Sequence, residues 1–508
     1  MSGIVGGPND GGPDDGGPND GDPDEFGDIG DGNGPLGFPD LPDLPDADRI
    51  LSDEESAAYE AEYQEAADEA YRELLERIGE GSPQPRLEPT RRAVELLGDP
   101  QRAAPIVHIT GTNGKTSTSR IIESLLRATG LKTGLLTSPH LVRVNERIMI
   151  DGRPVTNEAF ARNWDDITPY LLMTDAELIA NDDEPLTFFE ALTVLAFAIF
   201  ADAPVDVVVL EVGMGGEWDS TNVADGQVAV FTPIALDHQA RLGNTVAEIA
   251  RTKAGIIKPA ASVVTAMQSI EALDELREAA KLDEATMSIE AVDFALESTT
   301  VAVGGQVIDV RGRAGRYEGV YLPLYGDHQA QNAAVALAAV ETFLGDGTVP
   351  LADDVVSEGL GTVTSPGRLQ LIGVEPTVLV DAAHNPHGAR ALAAALAEYF
   401  DFDEWIVVLS VLGDKDAAGI IRELAPAVDR FIATNSHSER AIPADELGEL
   451  VAEIAGQDAV ITVGQPNDAL DQAREWALES PRRAVLITGS ITLVGEAMAR
   501  AATEGWKP

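Results

Sequence analysis

Short apolar runs separated by amphipathic stretches repeat along most of this chain. Ile106 to Thr110, Thr133 to Thr137, Val205 to Val212, Val228 to Pro233 and Val263 to Ala266 predict buried strands, and apolar residues spaced three and four apart predict helices between several of them. Such alternation predicts a parallel sheet covered on both faces, with ligands outside the carboxyl ends of its strands. Residues 291–325 break the pattern. Val301 to Val303, Val307 to Val310 and Val320 to Leu324, parted by Gly-Gly and Gly-Arg turns, predict a small β excursion on the first domain. A helix from Gln329 to about Phe343 follows, and Gly345-Asp346-Gly347 reads as a linker. A second alternation then begins, with strands at Thr377 to Asp381, Trp405 to Ser410, Arg430 to Thr434, Ala459 to Val463 and Ala484 to Thr488 among Ala- and Leu-rich helices. The fold class is therefore α/β, with two doubly wound domains.

The N-terminus follows another rule. Residues 6–25 repeat a five-residue unit close to Gly-Gly-Pro-Asn/Asp-Asp, and the Gly/Pro/Asp bias continues to about Asp48. A segment this poor in apolar surface does not offset its chain entropy, so residues 1–52 are expected to be disordered. From Asp53 the sequence turns helical, and Tyr59, Tyr63, Ala67, Tyr71, Leu74 and Leu75 form an expected buried stripe. Domains are expected at 53–345 and 346–508.

Composition narrows the function. The 508 residues contain no cysteine, which excludes disulfides, thiolate metal sites and a cysteine nucleophile. The longest apolar run, Ala191 to Ala201, is too short to span a membrane, and no signal pattern opens the chain, so the expectation is a cytoplasmic protein with no membrane partner. A formal charge of −51 argues against a nucleic-acid partner. Residues 1–55 hold 16 acids against one base, Arg49, so the acidity extends well beyond the extension. With only seven lysines against 28 arginines, the surface resembles one kept soluble at high salt.

The strongest chemical signal is Ile106 to Thr116, an apolar strand that runs into Gly111-Thr112-Asn113-Gly114-Lys115-Thr116. The glycines let backbone N–H groups face a polyphosphate, Lys115 reaches its outer phosphates, and the Thr116 hydroxyl is placed for a magnesium ion. The helix that follows directs its positive end at the same anion. The loop is shorter than the usual G-x-x-x-x-G-K-[ST], so an ordinary strand-to-helix turn is the alternative. The strand before and the amphipathic helix after favour a mononucleotide site.

Histidines mark further strand ends. His140 lies in Thr137-Ser138-Pro139-His140, His238 follows Asp237, His328 follows Asp327, and His384 lies in Asp381-Ala382-Ala383-His384-Asn385-Pro386. His108, His387 and His437 read as structural or solvated. These segments, together with Asn145 to Ile148, Glu211 to Gly216, Asp219, Thr221-Asn222, Lys253 to Lys258, His328 to Ala334, Pro366-Gly367-Arg368, Asp414-Lys415-Asp416 and Gly489-Ser490, occur in the order seen in folylpolyglutamate synthases and dihydrofolate synthases, a family of ATP-dependent Mur-type amide ligases. The resemblance covers roughly residues 85–508. It implies a Mur-ligase central-type domain with a phosphate loop, followed by a Rossmann-like Mur-ligase C-terminal domain.

What the resemblance implies about chemistry is specific. The γ-phosphoryl of ATP moves to a carboxylate, and the amine of L-glutamate attacks the resulting acyl phosphate, the acid being dihydropteroate or a folate. Gly111 to Ser117, Asn332, Arg368 and Asp381 are implied nucleotide contacts. Thr116, Ser138, Glu211 and His238 are implied magnesium ligands for two ions, and a monovalent cation is also implied. Lys115, His238, Lys253, Asp381 and His384 are the implied catalytic set, while Arg147, His384 and Ser490 are implied to face the substrates. Lys253 is either the lysine carbamylated in this family or an ordinary helix lysine paired with Glu248 or a phosphate. The partners implied are small molecules, and the resemblance leans to a monomer.

Several positions depart from the family pattern: Glu217 where arginine is common, Ala382 for glycine, Gln370 for an acid, and Gln239 for a small residue. Glu217 reverses a charge expected near the metal site. Two other readings stay open: another Mur-type ligase, such as one acting on a peptidoglycan precursor, and a nucleotide-binding relative without ligase activity. The first lacks support from an N-terminal Rossmann domain, since residues 1–104 read as low complexity plus short helices.

Overall fold

A computed structural model describes residues 53–81 and 84–506. The disorder expected for residues 1–52 lies outside them. The first alternation builds an eight-stranded sheet from β1 (Ile106–Thr110), β2 (Thr133–Leu136), β3 (Ile148–Ile150), β4 (Arg153–Pro154), β5 (Val207–Glu211), β6 (Val228–Phe231), β7 (Ser262–Thr265) and β8 (Thr286–Ile289). Their order is β4-β3-β2-β5-β1-β6-β7-β8. The run from β2 to β8 is parallel, as the buried apolar strands require, and β3 and β4 add an antiparallel edge that the sequence pattern did not indicate. Register places Ile109 beside Glu211, so the end of β5 lies level with the loop that begins at Gly111.

Helices cover both faces and start where short polar side chains cap them. Thr187 and Glu190 form a reciprocal box at the start of Phe188–Asp202, and Thr245 with Glu248 does the same for Val246–Ala254. The Ala191 to Ala201 run lies inside Phe188–Asp202 and is buried in the core. No helix among the described residues is long and apolar enough to cross a membrane. In the N-terminal helices Asp53–Glu62 and Gln64–Leu75, Ala67 and Leu74 are buried as expected, but Leu75 is 56% exposed. Ala70 takes the inward place instead, because it shares the helical face of Ala67 and Leu74.

The β excursion is a three-stranded antiparallel sheet of β9 (Ala295–Ala302), β10 (Gly305–Arg311) and β11 (Arg316–Leu322). Ile308, Val310, Val320 and Leu322 turn inward into the same core as the helix Asp327–Gly345.

The next helix, Asp353–Gly361, also belongs to this core. Val356, Leu360 and Val363 pack into it, and the Gly359 carbonyl accepts a 2.7 Å hydrogen bond from Ser124 Oγ. Residues 346 to about 363 are thus built with the first domain, although the expected boundary assigned them to the second. We propose a boundary near Pro366.

The second sheet contains β12 (Gln370–Val374), β13 (Thr377–Val380), β14 (Glu404–Leu409), β15 (Arg430–Ala433), β16 (Val460–Thr462) and β17 (Arg483–Thr488), in the order β12-β13-β17-β14-β15-β16. All neighbours are parallel except the edge strand β12. Val380 pairs with Ile487 and Leu409 with Thr488, so the loops that follow these three strands leave the sheet at one level.

Candidate active site

A cleft of about 940 Å³ is lined by the loops at the carboxyl ends of both sheets. From the first domain come the loops after β1, β2, β5, β6 and β7, and from the second the loops after β13, β14, β15 and β17. Parallel strands direct all these ends the same way within a sheet. The two sheets therefore present their ligand-binding edges to one another.

The phosphate loop forms because only glycine fits at two of its positions. Gly111 has φ +151 and a Cβ there would stand 1.9 Å from Thr232 Oγ1; Gly114 has φ +85 and its Cβ would stand 2.6 Å from Asn332 Oδ1. Thr112 is fastened to the loop after β6 through Ala235 O at 3.0 Å. Lys115 begins the helix Lys115–Ala128 and turns its ammonium onto the carbonyls of Gly111 and Thr112, both at 3.3 Å. Burial lowers its pKa. Thr116 donates to Glu211 Oε1 at 2.9 Å, and the Ser138 backbone N–H approaches the other carboxylate oxygen at 3.4 Å. Glu211 is buried, and burial raises its pKa against the pull of Lys115 and Thr116. Ser117 faces Ser365 Oγ at 3.0 Å, which ties the loop to the segment joining the two domains.

Lys253 is buried and donates to Gly111 O at 2.7 Å. Its alternative partner, Glu248, instead caps the helix that carries it. Burial, reinforced by Lys115, brings the Lys253 pKa down to about 7.

His238 adopts a left-handed backbone and lies next to Asp237, with Lys415 Nζ 3.4 Å from its Nε2. Burial holds its pKa near 4. Among the described residues no group of three or more His, Asp or Glu is close enough to hold a metal ion. The Thr116 hydroxyl and the Ser138 backbone N–H converge on the Glu211 carboxylate, and His238 lines the same cleft without joining a cluster of three His, Asp or Glu.

On the second domain Asp381 commits both oxygens to backbone N–H groups, of Leu369 and Ala383, each at 2.8 Å. In this geometry it shapes the turns that carry Arg368 and His384. His384 Nδ1 meets Ala382 O at 3.0 Å, leaving Nε2 towards Asp237 at 3.6 Å. Ser490 is buried at the start of Ile491–Glu504, and its hydroxyl has no hydrogen-bond partner among the described residues. Arg368 lines the cleft, and Asn332 lies against Gly114 with its amide donating to Gln329 Oε1 at 3.1 Å.

Arg147 is more constrained than a surface substrate contact. It is buried, grips Glu80 through both terminal nitrogens at 2.6 and 2.8 Å, donates to His140 Nδ1 at 2.8 Å and stacks over Phe188. The pairing holds the loop after Gln64–Leu75 against the cleft, and burial with Arg147 lowers His140 to about 4. Glu217 is exposed and outside the cleft lining, so its charge does not bear on the metal-side residues as expected. Gln370 accepts from the Gly367 N–H at 2.8 Å, a duty a carboxylate oxygen performs equally well.

Sequence reasoning gave no role to Asp237, Asn385 or Lys415, though all three stood in quoted motifs. Asn113 and Asn385 exchange hydrogen bonds of 3.2 and 2.9 Å across the cleft, and His387 Nδ1 lies 2.9 Å from Asn113, so His387 is more than a solvated side chain. His108 is structural as read: buried, 2.9 Å from Thr221 Oγ1, and lowered by burial to about 3.

The chain matches the Mur ligase middle domain over residues 109–340 and the Mur ligase glutamate ligase domain over residues 367–491. It is 42% identical over 440 residues to a dihydrofolate synthase/folylpolyglutamate synthase of Mycobacterium tuberculosis, covering 82% of this chain and 90% of that one. Among solved structures, it is similar to a Mycobacterium tuberculosis folylpolyglutamate synthase complexed with ADP and AMPPCP, with TM-score 0.82, 41% identity and coverage of 86% of this chain and 99% of that one. An Escherichia coli FolC in complex with DHPP and ADP is also similar, with TM-score 0.72, 30% identity and coverage of 83% and 94%.

Proposed function

Because the chain belongs to the dihydrofolate synthase and folylpolyglutamate synthase family of Mur-type ligases, we propose that its cleft performs both reactions, adding L-glutamate to dihydropteroate and to reduced folates. The chain is an ATP-dependent, amide-bond-forming ligase. The observation that supports the two-sided chemistry is the opposition of the phosphate loop to the Asp381–His384 loop and Ser490 across one cleft.

The steps follow from the residues. The loop Gly111 to Thr116 and Lys115 hold the phosphates of ATP, with Arg368 supplying a cation from the far wall. The acceptor's carboxylate oxygen attacks the γ-phosphorus and ADP leaves, giving an acyl phosphate. The amine of L-glutamate then attacks the carbonyl carbon, phosphate leaves, and the amine gives up a proton. We assign that proton to His384 Nε2, a reading supported by the contact of Nδ1 with Ala382 O, which leaves Nε2 towards Asp237 and the cleft. Ser490 offers an unpartnered hydroxyl for a glutamate oxygen.

The Thr116 hydroxyl and the Glu211 carboxylate, with the Ser138 loop beside them, would suit magnesium, since their oxygens are hard donors and burial raises the Glu211 pKa despite Lys115 and Arg368. When bound there, magnesium neutralises phosphate charge as it develops. Lys253, with its amine near neutrality, meets the chemical condition for carbamate formation, which requires the uncharged amine. Activity of Lys253→Ala restored by a short carboxylate would support the modification; no restoration in a folded variant counts against it. The large cleft supports small-molecule partners, and the acidic surface argues against nucleic acid.

The deciding measurement is phosphate release from ATP in the presence of L-glutamate with dihydropteroate or tetrahydrofolate. Both acceptors are expected to stimulate it. Stimulation by only one reduces the proposal to a single activity, and none with any pteridine leaves a nucleotide-binding relative.

A further inference from the structure

Asp237 is where the second domain converges on the first. Lys415, in the turn after β14, donates to Asp237 Oδ1 at 2.7 Å, with both side chains buried. Asn385 Nδ2 reaches Oδ2 at 3.3 Å and His384 Nε2 stands 3.6 Å from the same oxygen. These three partners come from the second domain, while the first domain contributes the His238 backbone N–H, which donates to Oδ1 at 2.8 Å. Among the described residues no lysine or arginine of the first domain pairs with Asp237. Its first-domain salt-bridge neighbour among the described residues is the adjacent His238, at 4.0 Å, and the Lys115 and Lys253 ammonium groups act on it only from farther away.

Two charges buried together at hydrogen-bond distance compensate one another, whereas either one buried alone is strongly unfavourable. With the domains apart, water hydrates both. With the domains together, each needs the other. We propose that Lys415 is a positioning residue for the ligation step, one that makes the closed cleft the arrangement in which Asp237 is matched and His384 and Ser490 face the phosphate loop. This rests on the ligase reading. It assigns Lys415 no contact with the reacting atoms, and nucleotide capture, carried mainly by the first-domain loop, depends on it only through the contribution of Arg368.

The test compares wild type with Lys415→Met, Asp237→Asn and the double variant. Lys415→Met leaves a carboxylate unpaired in the closed cleft, so kcat/KM for glutamate should fall about 100-fold, while affinity for a non-hydrolysable ATP analogue, held mainly by the first-domain loop with Arg368 adding to it on closure, should fall less than about tenfold by calorimetry. The double variant should be no worse than the weaker single variant, because the pair acts as a unit. Glutamate kinetics close to wild type, an equal loss of nucleotide affinity, or losses that multiply would each overturn the proposal.

Small-angle scattering with the analogue reads closure without chemistry. Lys415→Met should be more extended than wild type, and equal radii of gyration would also overturn the proposal. An inactive wild type would sink the ligase reading, but the scattering comparison would still decide the role of Lys415. Should Lys415→Met not fold, Lys415→Gln replaces it in every arm.

Discussion

Gly114 is the residue at which one methyl group tests the phosphate loop. Alanine there would adopt φ +85 and meet Asn332 Oδ1 at 2.6 Å. Since a left-handed backbone costs an ordinary residue about 1–2 kcal/mol, calorimetry with an ATP analogue should show Gly114→Ala binding at least about tenfold more weakly. Glu211→Gln removes the buried negative charge beside Thr116, and kcat at saturating ATP and magnesium should fall by about 100-fold or more. Buried histidines set the response to acid. His108 near 3, and His140 and His238 near 4, stay neutral in the fold but protonate at about 6.5 when unfolded. Between these values the unfolded chain binds more protons, so their stability contribution is full above pH 6.5 and is lost as pH falls towards 4. Urea unfolding midpoints should trace that decline, and His108→Gln should reduce its slope by about 1.4 kcal/mol per pH unit. Lys115 and Thr116 were legible because their chemistry follows from local spacing. The contact of Lys253 with Gly111 O joins residues 142 positions apart, which no local pattern reveals.

Among the elements, the helix Asp353–Gly361 has the clearest consequence. A Cβ on Gly359 would lie 2.9 Å from Leu125 Cα, backbone that moves only with its helix. Gly359→Ala should therefore lower stability by about 1–3 kcal/mol, visible as a reduced melting temperature with KM for ATP little changed at low temperature. This helix shares a core with Ile121, Ile122 and Leu125, which explains why the glycine-rich segment at 345–347 suggested a boundary that the packing does not respect. The long apolar strands were legible to within a residue or two, β1 to its ends. The edge strands β4, β8 and β12, and β3 beside β4, were not, because two to five residues carry too little periodicity to stand out along the chain.

At the scale of the whole molecule, a charge of −51 makes the folded chain repel itself. Salt screens such charges over about 10 Å at 0.1 M and about 3 Å at 1 M, so melting temperature and activity should hold or rise up to molar KCl. Full activity at low salt with inhibition at molar salt would contradict this. The same scale decides what the site is. Sequence by itself determined the two α/β alternations, the phosphate loop and the strand-end motifs, because these depend on residues close along the chain and on the rule that parallel strands offer ligands their carboxyl ends. Only the tertiary structure decided that both sheets turn those ends towards one cleft, that Asp381 shapes loops through backbone N–H groups, and that Lys415 meets Asp237. Hydrophobic periodicity says which face of an element is buried, but not which distant charge will be waiting there.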